Sequence, residues 1–131
     1  MRRLAALLAL AALAAAPAAG QQRQIHAGRV VQTIDGDSLR LENLVPDVRL
    51  WGVDAPEWND AMGPLATIRL DRIAGGQWVA CVEMDRDRHG RIVARCHLDG
   101  EREVNRLAIE QGPAVEYCRY SRGAYGTCPL P

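Results

Sequence analysis

The sequence predicts a mainly β chain with short helices, an α+β fold built on a five-stranded Greek-key barrel of the OB type. Three observations point there. Short β-branched runs and helical spacings follow one another as three strands, helix, two strands, helix. Asp-Gly and Gly-Gly signals punctuate the runs at close intervals. The chain is also short: once an N-terminal export signal is set aside, roughly 110 residues are left, enough for one modest core and too few for two.

That signal is residues 1–20. Met1, Arg2 and Arg3 precede a run of Leu and Ala alone from Leu4 to Ala16, and Pro17, Ala18, Ala19 and Gly20 follow. A charged start, a short apolar stretch and small residues at its end are the pattern of a cleaved leader, whereas a spanning helix needs about 20 apolar residues. The rest, 28–131, is expected to be one domain of a monomer that is periplasmic or secreted. Without Arg2 and Arg3 the formal charge passes from zero to slightly acidic, so any attraction for a polyanion must be local.

Residues 28–34 read as the first strand, ending in the turn signal Asp35-Gly36-Asp37, and Leu39, Leu41 and Leu44 as a second strand returning beside it. Residues 48–53 alternate as a third strand with Arg49 on one face, stopped by Pro56. Between residues 63 and 74, Ala66, Leu70 and Ile73 recur at helical spacing, and Gly75-Gly76 ends the helix. Residues 77–84 and 91–98 form a strand pair around Asp87-Arg88-His89-Gly90. Val104, Leu107 and Ala108 lie along a second helix that Gly112 terminates. Phe is absent, which leaves the core to aliphatic residues and Trp51, Trp58 and Trp78.

The four cysteines all lie in the exported part, which favours two disulfides. Cys81 and Cys96 flank the turn at 87–90 almost symmetrically, so a hairpin sets them opposite one another; Cys118 and Cys128 then close a short C-terminal loop. Four cysteines allow three connectivities, and this one is the expectation.

Polar residues suited to chemistry cluster in three stretches: Asp35-Gly36-Asp37-Ser38, then Arg49 followed by Val53-Asp54-Ala55-Pro56-Glu57, and Asp87-Arg88-His89-Gly90-Arg91. Hydrolysis of a phosphodiester brings water to an anion and adds negative charge to phosphoryl oxygens, which calls for cations and a base. Asp37 and Asp54, brought together from two strand ends, suit a hard cation such as Ca²⁺. Arg49 and Arg91 suit phosphate, because a guanidinium donates two parallel hydrogen bonds and stays charged.

In this order and spacing the three stretches resemble the staphylococcal nuclease-like family, from about Gly28 to Gly112. The resemblance implies a calcium-dependent nuclease acting on DNA or RNA that leaves 3′-phosphates; attraction confined to a local cationic cluster adds a preference for single-stranded or frayed substrate, whose backbone can enter a narrow site. It implies that the Ala55 carbonyl joins Asp37 and Asp54 on the metal and that Asp35 supports them from outside. Glu57 becomes the general base, with Arg49 and Arg91 as the catalytic cations. Arg88 and His89 stand where the family has a basic and an aromatic residue near the substrate, and Tyr120, with Tyr117, is placed to stack on a base or to cap the barrel. Against the family pattern, the connection from Glu57 to Gln77 is short and the usual third helix is expected to be missing, with Cys118 and Cys128 in its place. The alternative is a non-catalytic OB module that binds nucleic acid or protein; gathered carboxylates argue against it, since a mere binder has no need of them beside a polyanion.

Overall fold

In the computed structural model, residues 15–16 and 20–130 are described, so the expected signal segment 1–20 falls almost wholly outside the described residues. Five strands close a barrel: β1 (Ile25–Asp35), β2 (Ser38–Leu41), β3 (Val48–Leu50), β5 (Trp78–Arg86) and β6 (Ile92–His97), in the order β1-β2-β3-β6-β5. Closure depends on the length of β1. Its first half, Ile25 to Arg29, pairs with β5 and its second half, Val30 to Asp35, with β2. Register shifts between Val30 and Gln32 and between Thr33 and Asp35 bend it from one partner to the other. All pairings are antiparallel except β3 with β6.

Alternation sends Val30, Leu39, Leu41, Val48, Leu50, Val79, Ile92 and Ala94 into the barrel, where each is 2% exposed or less. The helix α1 (Gly63–Ala74), with Pro64 in its first turn, closes one side through Ala66, Leu70 and Ile73. The short helix α2 (Val104–Gln111) is pinned by one side chain. Buried Asn105 accepts from the Cys96 N–H at 3.0 Å and donates to the Trp51 and Ala94 carbonyls at 2.9 and 3.0 Å.

Two expectations need correction. The third strand does not run over 48–53: it stops at Leu50, and Gly52, at φ +69°, turns the chain. Val53–Asp54 (β4) then pairs with Val115–Glu116 (β7) in a separate two-stranded sheet, because the Gly52 carbonyl accepts from Tyr117 N–H and leads the C-terminal segment alongside. Nor do all three Trp residues build the core. Trp51 meets Tyr125 edge-on, whereas Trp58 and Trp78 are 77% and 58% exposed.

Both expected disulfides are present. Cys81 and Cys96 face each other across β5 and β6, and Cys118 and Cys128 close the C-terminal loop around α3 (Cys118–Ser121), so the third helix expected to be missing is present as a single turn within that loop. Glu116 organises that loop from inside, accepting from the Ser121 hydroxyl, the Tyr125 N–H and both the N–H and hydroxyl of Thr127. Burial pushes its carboxyl up, but these donors outweigh burial and hold it at about 2. A carboxyl depressed on folding adds stability that is present above its ordinary pKa and lost as pH falls through the folded value. Exchange protection of the Tyr125 and Thr127 amides is therefore expected to decline between about pH 4.5 and pH 2. Protection unchanged down to pH 2 would refute this role for Glu116.

Candidate functional site

The β1–β2 hairpin places Asp37 by a tight turn in which the Asp35 carboxylate accepts from the Asp37 N–H at 3.0 Å. Gly36 lets this turn press inward: a Cβ there would lie 2.6 Å from the Ala55 Cβ and 2.5 Å from that of Ala66. Asp37 is thus brought against the segment after β4, 8% exposed. One carboxylate oxygen accepts from the Ala55 N–H at 3.0 Å and lies 3.3 Å from the Arg49 guanidinium; the other accepts from the Ser38 hydroxyl at 3.2 Å. Burial pushes the carboxyl up to about 6, with Arg49 pulling it down and Asp35 pushing it further up.

Arg49 sits in β3 opposite Ser38 of β2 and Val93 of β6. It also donates to the Leu50 and Val53 carbonyls at 3.0 and 2.7 Å, so its guanidinium is fixed before any ligand arrives. Arg91 opens the return strand of the next hairpin and is held by Asp87, which accepts from its N–H at 3.0 Å and from its Nε at 2.7 Å. Its Nη1 lies 3.5 Å from the Ser38 hydroxyl. Through Ser38, Arg91 joins the same group as Asp37 and Arg49. Arg88 and His89 are exposed at the hairpin tip with their side-chain nitrogens 3.3 Å apart.

Glu57 lies beyond, in a hollow of about 410 Å³ lined by Asp54, Ala55, Pro56, Asp60, Pro113 and Val115. Its N–H donates to Asp60 and its carbonyl accepts from the Asp60 N–H, so the backbone is fixed while the exposed carboxylate has no partner among the described residues. A second hollow, about 180 Å³, is lined by Arg49 together with Trp51, Tyr117 and Tyr120. Asp37 connects the linings of the two, bonded to Ala55 of one and paired with Arg49 of the other. Tyr117 and Tyr120 meet edge-on, ring centroids 4.8 Å apart.

A hard cation fits this donor chemistry. Asp37 is a buried carboxylate that bonds to the Asp54-Ala55 segment, and among the described residues no thiol or imidazole bonds to it. The three carboxylates Asp35, Asp37 and Asp54 do not offer oxygens all within 4.8 Å of one another; among the described residues that closeness belongs to Glu116, Cys118 and Cys128, whose sulfurs are joined in a disulfide. Sequence reasoning missed the residues that orient the others: Ser38 between Asp37 and Arg91, Asp87 on Arg91, and Asp60 on the Glu57 backbone. Asp87 heads a turn that Gly90 closes at φ +78°, a local signal that was legible. His26, outside this group, lies 2.6 Å from the Glu83 carboxylate.

Residues 47–127 match the model of the family described as staphylococcal nuclease homologue. The match takes in Arg49, Asp54, Glu57 and Arg91 and begins after Asp35 and Asp37. The chain is 31% identical over 99 residues to an Escherichia coli protein named as an uncharacterized endonuclease, covering 74% of this chain and 64% of that protein. It is 34% identical over 134 residues to Protein ParB of Escherichia coli, 95% of this chain and 73% of that one. To the micrococcal nuclease of Shigella flexneri it is 32% identical over 105 residues, 72% of this chain and 60% of that one. The chain therefore spans less than two thirds of the endonuclease and of the micrococcal nuclease it matches.

Proposed function

The chain belongs to the staphylococcal nuclease homologue family, and from that premise we propose that it is a calcium-dependent nuclease cutting single-stranded or frayed DNA or RNA to leave 3′-phosphates. The observation that supports this most directly is the placing of Asp37 between a fixed guanidinium and the Asp54-Ala55 segment, with Arg91 joined through Ser38. Asp37, Asp54 and the Ala55 carbonyl would hold the ion, with Asp35 bracing the turn. When bound, Ca²⁺ supplies positive charge for the phosphoryl oxygens.

The protein's own groups do the rest. Arg49 and Arg91 hold the phosphoryl oxygens, and because carbonyls and Asp87 already fix them, little reorganisation is needed as charge develops. Glu57 takes a proton from water whose oxygen bonds to phosphorus; the bond from phosphorus to the 5′ oxygen breaks, and that oxygen takes a proton from solvent. Arg88, His89 and Tyr120 border the approaching strand.

The test is cleavage of a single-stranded oligonucleotide by the full chain, with excess chelator and with Ca²⁺ restored. Hydrolysis is expected only with Ca²⁺, giving ends that a 3′-phosphatase must trim before a polymerase extends them. Full activity in chelator would overturn the metal assignment, and binding without cleavage would favour a non-catalytic module.

The proposal extends to location: the pattern of residues 1–20 and the two disulfides support export. Peptide mapping of material recovered outside the cytoplasm is expected to find Cys81 linked to Cys96 and Cys118 to Cys128, on a chain lacking the leader. Free thiols, or recovery only in the cytoplasm, would refute it.

A further inference from the structure

On the outer face of the barrel, Arg49, Val93 and Asp85 form one row across β3, β6 and β5, since Arg49 pairs with Val93 and Val93 with Asp85. A bulge creates that row. Along β5, Cys81 and Glu83 stand opposite Cys96 and Ala94, the inward positions of β6, and regular alternation would turn Asp85 inward as well. The register shift between Glu83 and Asp85 inserts Met84 and sets Asp85 opposite Val93 instead, on the outside.

There Asp85 lines the 180 Å³ hollow with Arg49, Trp51, Val93, Tyr117 and Tyr120. One of its oxygens accepts from the Arg86 N–H at 2.8 Å; the other has no partner, and Asp85 joins no ion pair, among the described residues. Arg49 is turned the other way, toward Asp37 and the Val53 carbonyl. The hollow thus has Arg49 at one end and an unpaired carboxylate at the other, on strands two spacings or about 10 Å apart, with aromatic rings on its wall.

We infer that Asp85 gives this hollow, whose tyrosines offer stacking to a base, a selectivity for bases that present hydrogen-bond donors, guanine above all. The inference rests on the nuclease reading of the preceding subsection. A phosphate is attracted to Arg49 and repelled by Asp85, so a nucleotide with its phosphate at Arg49 directs its base toward Asp85. An ionised carboxylate only accepts. Guanine offers a ring N–H and an exocyclic amino group side by side, which match two carboxylate lone pairs. Adenine and cytosine offer one amino group beside an acceptor nitrogen. Thymine and uracil set their N–H between two carbonyl oxygens, which a carboxylate repels.

The experiment uses short single-stranded oligothymidylates carrying one guanine, adenine or cytosine, with cleavage by the full chain mapped position by position. Cleavage beside guanine is expected to exceed cleavage beside thymine by at least about tenfold in kcat/KM, the scale of hydrogen bonds to a charged group. In Asp85→Asn, whose amide offers one donor and one acceptor, that ratio is expected to fall to within about twofold, with cleavage beside thymine undiminished. Equal cleavage beside all four bases, or a guanine preference that survives Asp85→Asn, would overturn the inference while leaving the nuclease reading intact. No cleavage of any oligonucleotide would overturn both.

Discussion

Replacing Glu57 by Gln is expected to lower kcat by roughly 10² to 10⁴, the range for loss of a general base, while KM for a single-stranded oligonucleotide changes little. The expectation comes from how differently the backbone and the side chain of Glu57 are treated. Pro56 precedes it, Asp60 bonds its N–H and carbonyl, and α1 begins so close that a Cβ on Gly63 would lie 2.0 Å from its carbonyl oxygen. The carboxylate alone is unpartnered, in the hollow that shares Ala55 with the Asp37 contact. A group acting only as a solvated charge would need no such support. Gln keeps the shape and removes the capacity to take a proton, so folding and binding should survive while turnover falls. An unchanged kcat would remove Glu57 from the mechanism.

The second large effect is expected at Arg91. Arg91→Ala should lower kcat by about 10² to 10³, the loss found when one fixed donor to developing charge is removed, with KM much less affected. Asp87 grips the Arg91 backbone and Nε together, leaving the outer guanidinium nitrogens to face Ser38 and the space beyond it. A donor held in this way interacts most strongly where negative charge accumulates in the transition state. Arg91→Lys should recover only part of the loss, because an ammonium cannot keep the Asp87 contact and also present a planar fork. If instead KM rose and kcat held steady, Arg91 would be a ground-state phosphate anchor and nothing more.

What sequence reasoning missed shares one cause. The orienting partners Ser38 and Asp60 look like ordinary loop polar residues, and their bonds to Arg91 and Glu57 depend on where separate segments meet. The third strand was read as continuous because period-2 alternation cannot register the positive φ of Gly52. Trp58 and Trp78 were assigned to the core by composition, yet small residues such as Ala66, Ala74 and Ala94 fill it and leave those rings outside.

The sequence by itself indicated the five barrel strands, α1 with its bounds, α2 and the barrel class, and favoured the two cysteine pairings found, because each is written in short-range periodicity, turn chemistry or the symmetry of a hairpin. It also marked Asp37, Arg49, Asp54, Glu57 and Arg91 by type and spacing. Only the tertiary structure decided that Asp37 bonds Ala55 and pairs with Arg49, that Glu57 and the tyrosines line two separate hollows, and that a bulge turns Asp85 to the outside. Those facts depend on strand register and barrel closure. One residue of slip reverses a side chain from core to surface, and register is set by partners distant in sequence, so no local pattern contains it.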